Sequence, residues 1–107
     1  PISGWQGDRV TPLEHHDLLR CYTAGQKVLA QTLDGQEYTL RLRLYELEAM
    51  LPASFIRINK SALANEAHLE RFTASFNGAV DAVFRSGYRE YVSRRCFAEI
   101  KRRYDNL

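Results

Sequence analysis

The 107-residue sequence reads as a series of β-hairpins with a short helix and a helical last segment. Three observations carry that expectation. Asp34-Gly35 and Asn77-Gly78 each interrupt β-prone runs, and such dipeptides supply the φ > 0 that a tight hairpin turn requires. Val80, Ala82 and Phe84 alternate with Asp81, Val83 and Arg85, the period of a strand with an apolar face. Helical spacing of apolar residues is confined to two stretches, LYELEAML at 44–51 and the segment after Ser93.

Taken in order, residues 27–42 read as two strands around Asp34-Gly35. In the helix that follows, Leu44, Leu47 and Leu51 share one face, and Pro52 stops it because proline cannot continue the backbone hydrogen-bond ladder. Phe55-Ile56 are expected to end a strand, and Leu63 to be buried. Residues 67–76 and 79–85 form a hairpin around Asn77-Gly78, and Ser86-Gly87 turns the chain into a strand at 88–92. The last segment is a helix with Ser93 as N-cap and Cys96, Phe97, Ile100 and Tyr104 as its apolar stripe.

Composition bounds the function. At 45% hydrophobic and 26% charged residues, the chain has enough apolar surface to fold as one domain. No apolar run approaches the ~20 residues of a membrane span, and the polar N-terminus has no signal-peptide core. With no initiator Met, the sequence reads as an excised or processed piece. Two cysteines, Cys21 and Cys96, fit no disulfide or zinc framework, and reduced thiols suit a cytoplasmic location. His15-His16 lacks further ligands at metal spacing. No nucleophile–base pair, carboxylate pair or phosphate loop suggests an enzyme, and no cofactor, metal or small-molecule substrate is expected.

The charge is uneven. Residues 1–54 hold five basic and seven acidic side chains, whereas residues 55–107 hold ten basic and six acidic. This basic excess points to a polyanionic partner. Two places concentrate the question. In FIRINKSALAN at 55–65, the polar cluster Arg57, Asn59, Lys60 and Ser61 sits between apolar runs without Gly or Pro. These are side-chain types that contact phosphates and base edges, although a polar loop capping a sheet reads equally well. Arg94 and Arg95 occupy the first turn of the last helix, where the helix dipole disfavours positive charge. Some other interaction should favour them there.

These segments resemble the LytTR family of DNA-binding domains. The parts LYELEAML, FIRINKSALAN, SFNGAVDAVFRSG and EYVSRRCFAEIK occur in the family's order and at suitable spacing. The wording is most similar to compact bacterial regulators that lack a receiver domain. The likeness covers roughly residues 10–105, so residues 1–9 are expected to be an N-terminal extension or linker and 10–107 the domain. The resemblance implies a mainly β fold, elongated and antiparallel, of about three small sheets with one or two short helices. It implies sequence-specific binding of duplex DNA by a transcription regulator or response-regulator output domain, with loops entering successive major grooves. The implied partners are DNA with direct-repeat sites, a second copy forming a homodimer on DNA, and a separate receiver domain or membrane partner protein.

Carried over residue by residue, the loop near Gly25-Gln26 makes Lys27 one candidate contact. Lys60 falls at the base-reading position of the second loop, with Arg57, Asn59 and Ser61 beside it; Arg57 has a structural alternative, holding the loop. Arg95 matches the base-reading arginine at the last helix, with Tyr91, Ser93 and Arg94 as candidate backbone contacts. Two other classes remain open. An RNA-binding β domain would stack bases on Phe72, Phe76, Tyr88 and Tyr91, and a protein-interaction module would use the basic loops against an acidic partner.

Overall fold

The computed structural model describes residues 1–105. Its strands are β1 (Ile2–Gln6), β2 (Arg9–Leu13), β3 (Leu18–Ala24), β4 (Lys27–Thr32), β5 (Glu37–Leu40), β6 (Phe55–Asn59), β7 (Ala62–Asn65), β8 (Leu69–Ala74), β9 (Val80–Phe84) and β10 (Arg89–Val92). Two helices complete it, α1 (Leu44–Met50) and α2 (Arg94–Asp105). The strands form two antiparallel sheets, β2-β1-β5-β4-β3-β7-β6 and β10-β9-β8. The expected mainly β class and elongated shape hold, with extents of 45 × 24 × 24 Å. The sheets number two rather than three, because β1 and β2 join β5 and extend the larger sheet.

Local chemistry explains most elements. Gly35 and Gly78 take φ of 87° and 88°, the left-handed conformation their turns need. The carboxylate of Glu46 accepts the Arg43 N–H at 2.8 Å, satisfying an orphan donor at the start of α1. Leu44, Leu47 and Leu51 then lie buried against the large sheet. At full burial Leu47 contributes roughly 1.5–3 kcal/mol. Ser93 Oγ accepts the Cys96 N–H at 3.2 Å, the N-cap expected from the sequence.

There are two cores, one on each face of β3, β6 and β7. Leu18, Cys21, Phe55 and Leu63 face α1. Leu19, Ile56, Ile58, Ala62 and Ala64 face the small sheet and Ile100 of α2. A buried strut also crosses between the sheets. Arg20 donates to Gln31 Oε1 at 2.7 Å and to Glu90 Oε1 at 2.9 Å, with its guanidinium carbon 3.7 Å from the Tyr22 ring centroid and 4.5 Å from that of Tyr88.

Three segments depart from the sequence reading. Residues 2–6, placed there in an extension or linker, form β1 and pair along their whole length with β2, and Ile2 enters the first core. Phe55-Ile56 begin β6 instead of ending a strand, and the strand continues through Arg57 to Asn59. The hairpin strand expected from residue 67 starts at Leu69, since Glu66–His68 make a 3-10 turn with Ala67 N–H bound to Asn65 Oδ1.

Candidate nucleic-acid interface

Strand pairing brings four chain segments to one end of the sheets. Ala24 pairs with Lys27 across the β3–β4 turn, and Val28 pairs with Leu40, so Arg41–Arg43 leave the sheet at this end. Tyr22 pairs with Ala62, and the Thr23 N–H donates to the Ser61 carbonyl at 2.9 Å, which sets the β6–β7 turn beside them. Finally, the Ser93 N–H donates to the Ile58 carbonyl at 2.8 Å, attaching the start of α2 to β6. The opposite end carries the turns with Asp17, Asp34 and Glu66.

The nine candidate residues divide by how they are held. Lys27, Lys60, Arg94 and Arg95 are exposed, and among the described residues none makes an ion pair or a side-chain hydrogen bond. Tyr91 is exposed on β10, and Ser61 and Ser93 are half-buried. Arg57 and Asn59 are different. Arg57 donates to Glu48 Oε1 from Nε at 3.1 Å and from Nη2 at 2.9 Å, and to the Lys60 carbonyl from Nη1 at 2.8 Å. This ties the β6–β7 turn to α1. Asn59 is 7% exposed. Its Nδ2 donates to the Tyr91 carbonyl at 2.7 Å, and its Oδ1 accepts the Ser61 N–H at 2.8 Å. An extra residue in β6, a bulge between Arg57 and Asn59, allows this reach to β10.

Two adjoining grooves run across this end. One, of about 560 Å³, is lined by Arg57, Asn59, Lys60, Tyr91, Ser93 and Arg95, with Glu48 and Cys96. The other, of about 740 Å³, holds Lys27, Arg57 and Lys60. Arg57 and Lys60 border both, so the three predicted loops meet in one continuous surface. The second groove also contains Arg41 and Arg43, which the sequence reading passed over. Their signal was the alternation in LRLRL at 40–44, which puts two cations at i and i+2 just beyond a strand. The acids lining these grooves, Glu46 and Glu48, are engaged by the Arg43 N–H and by Arg57.

The four aromatics weighed for base stacking do not form a platform. Phe72 packs on Phe97 and Tyr104 at centroid distances of 5.9 and 6.1 Å, and Tyr88 packs on Phe84 at 5.6 Å. Phe76 and Tyr91 are exposed, the first on the β8–β9 turn and the second on β10. Cys96 is half-buried in the first groove, while Cys21 is buried, which pushes its thiol up to about 12. Among the described residues no group of three His, Cys, Asp or Glu is placed to hold a metal ion, and no helix is long and apolar enough to cross a membrane.

Comparison with known proteins identifies the class of this antiparallel β domain as DNA-binding. The model of the LytTr DNA-binding domain matches residues 8–105, and the chain belongs to that family. It is 37% identical over 87 residues to proteins named as uncharacterized HTH-type transcriptional regulators in Staphylococcus aureus strains NCTC 8325 / PS 47 and COL. The match covers 81% of this chain and 58% of each relative, so the chain spans little more than half their length. The fold superimposes with a TM-score of 0.87 on the LytTr DNA-binding domain of a Bacillus cereus protein, at 20% identity, covering 94% of this chain and 93% of the other. Strands β6 to β10 separate α1 from α2, so the described residues contain no helix-turn-helix.

Proposed function

We propose that this domain reads duplex DNA by sequence on behalf of a bacterial transcription regulator, inserting its turns into successive major grooves. The observation that carries the reading is a set of exposed cations, Lys27, Lys60 and Arg95, on three turns at one end of the strands, none of them ion-paired among the described residues. Lys60 and Arg95 are assigned to base edges, where lysine and arginine favour guanine. Lys27 serves the flanking turn. Ser61, Tyr91, Ser93 and Arg94 contact the backbone and set register. Arg57 and Asn59 act at one remove, by fixing the turn that carries Lys60. Two copies occupy direct repeats, and a separate receiver domain or membrane protein supplies the signal.

The test is selection of a random duplex library on the purified domain near physiological salt, with Arg95→Ala in parallel. The expected result is an enriched motif whose preference falls by about 1–3 kcal/mol, roughly 5- to 150-fold, in the variant. Salt-sensitive retention of all duplexes without enrichment overturns base reading. Preferential capture of single-stranded RNA redirects the function to RNA.

A further inference from the structure

The groove beside Lys27 holds more positive charge than the three assigned turns account for. Arg41 and Arg43 line it together with Lys27 and Lys60, and among the described residues none of the four is ion-paired. Arg41 is also fixed in place. Its guanidinium carbon lies 3.6 Å from the centroid of the Trp5 ring. Trp5 belongs to β1 and pairs with Thr39 of β5, two residues before Arg41. A guanidinium held by its face keeps its in-plane N–H donors free for a second ligand, and a braced side chain loses less freedom when it binds one. These four cations share the groove with one carboxylate, Glu46, which is bound to the Arg43 N–H, so the excess charge favours a ligand that brings negative charge.

We infer that Arg41 and Arg43 form a binding site for a backbone phosphate of the duplex, and that Trp5 of β1 positions Arg41 for it. The inference rests on the DNA-binding reading above and extends its footprint beyond Lys27. Arg41 is held against the sheet by Trp5 and so stays at the rim, where the sugar–phosphate backbone runs, rather than reaching base edges. The site therefore adds affinity that is independent of sequence. Strand β1, which lies wholly ahead of the family match at 8–105, becomes part of the binding surface.

Arg41→Gln and Arg43→Gln are titrated against the selected duplex and against a shuffled duplex of the same composition, over a salt series. Each contact to a phosphate contributes about 0.9 to the slope of log K against log salt. Each variant is therefore expected to lower the slope by about one and weaken both duplexes by the same factor, leaving the preference between them unchanged. Arg41→Lys and Arg43→Lys, which keep the charge, are expected to retain most of the slope. Trp5 is the sole tryptophan, and its emission is expected to change when wild-type protein binds duplex and to change less in Arg41→Gln. Wild-type slopes in both Gln variants, with the wild-type preference intact, overturn this inference alone. A wild-type protein that binds neither duplex overturns the reading beneath it as well.

Discussion

Asn59 offers the sharpest separation between a residue that touches DNA and one that shapes the turn that does. Replacing it with alanine removes the 2.7 Å bond to the Tyr91 carbonyl and the 2.8 Å bond from the Ser61 N–H. Each bond contributes about 0.5–1.5 kcal/mol net, and a group left buried without a partner costs about 1–3 kcal/mol. Asn59 is 7% exposed, whereas Ser61 and Tyr91 lie closer to solvent, and water recovers part of the loss. The expected destabilisation is about 2–4 kcal/mol, a fall in Tm of roughly 8–30 °C for a domain of this size. Asn59→Asp keeps the acceptor for Ser61 but faces the Tyr91 carbonyl with a carboxylate oxygen, and should lose a similar amount. The assay is urea and thermal denaturation followed by circular dichroism, with DNA binding measured below the transition. Affinity should fall together with stability, and preference should weaken where Lys60 reads, as its turn loosens. If Asn59→Ala keeps wild-type stability to within about 0.5 kcal/mol yet loses preference at one base pair, the clamp argument fails and Asn59 is a reader.

Four further outcomes are expected. Arg20→Met breaks the buried strut between the sheets and should destabilise by about 3–5 kcal/mol, with a non-additive partial recovery in the double variant with Glu90→Gln, measured by denaturant unfolding. Gly4→Ala places a Cβ 2.5 Å from Leu13 Cδ1 and 2.8 Å from Tyr38 Cβ, and should cost about 1–3 kcal/mol in the same assay. Burial and the Glu66 carboxylate push the Tyr104 phenol up to about 12. Its contribution to stability is present in full below the ordinary value of 10 and lost as pH rises through about 12, so Tyr104→Phe should flatten that part of the pH–stability curve. In the native protein, a thiol reagent should label Cys96 and leave Cys21 untouched until unfolding, read by mass spectrometry.

What the sequence disclosed follows from how many faces of each element are buried. The hairpins at Asp34-Gly35 and Asn77-Gly78 and both helices were readable, because turn chemistry and one-sided apolar spacing are local signals. Strands β3, β6 and β7 were not, because they are apolar on both faces. Leu18 and Leu19, or Leu63 and Ala64, are neighbours that enter opposite cores, so the period-two alternation disappears. Family likeness named Lys60 and Arg95 as candidates, and the strand pairing sets both at one end of the sheets. The polar cluster itself misled in one respect. Arg57 and Asn59 look like loop residues, yet their polar atoms are directed into the protein, at Glu48 and at the Tyr91 carbonyl, partners 9 and 32 residues away. Arg41 and Arg43 were missed because the groove that unites them with Lys27 and Lys60 exists only after β4 and β5 pair.

The join between the sheets makes the protein a ruler. Arg20 of β3 with Glu90, and Ile58 and Asn59 of β6 with the chain at Tyr91–Ser93, tie the large sheet to β10, so the offset between the Lys60 turn and the Arg95 corner is rigid. Duplex DNA advances about 3.4 Å per base pair along each strand and makes one turn in about 10–10.5 base pairs. If Lys60 and Arg95 read bases as proposed, one base pair inserted between their two positions would move the second by that rise and rotate it by about 35°. A locked frame cannot follow the rotation, so under the proposed reading the number of intervening base pairs becomes as much a part of the recognised message as the bases themselves.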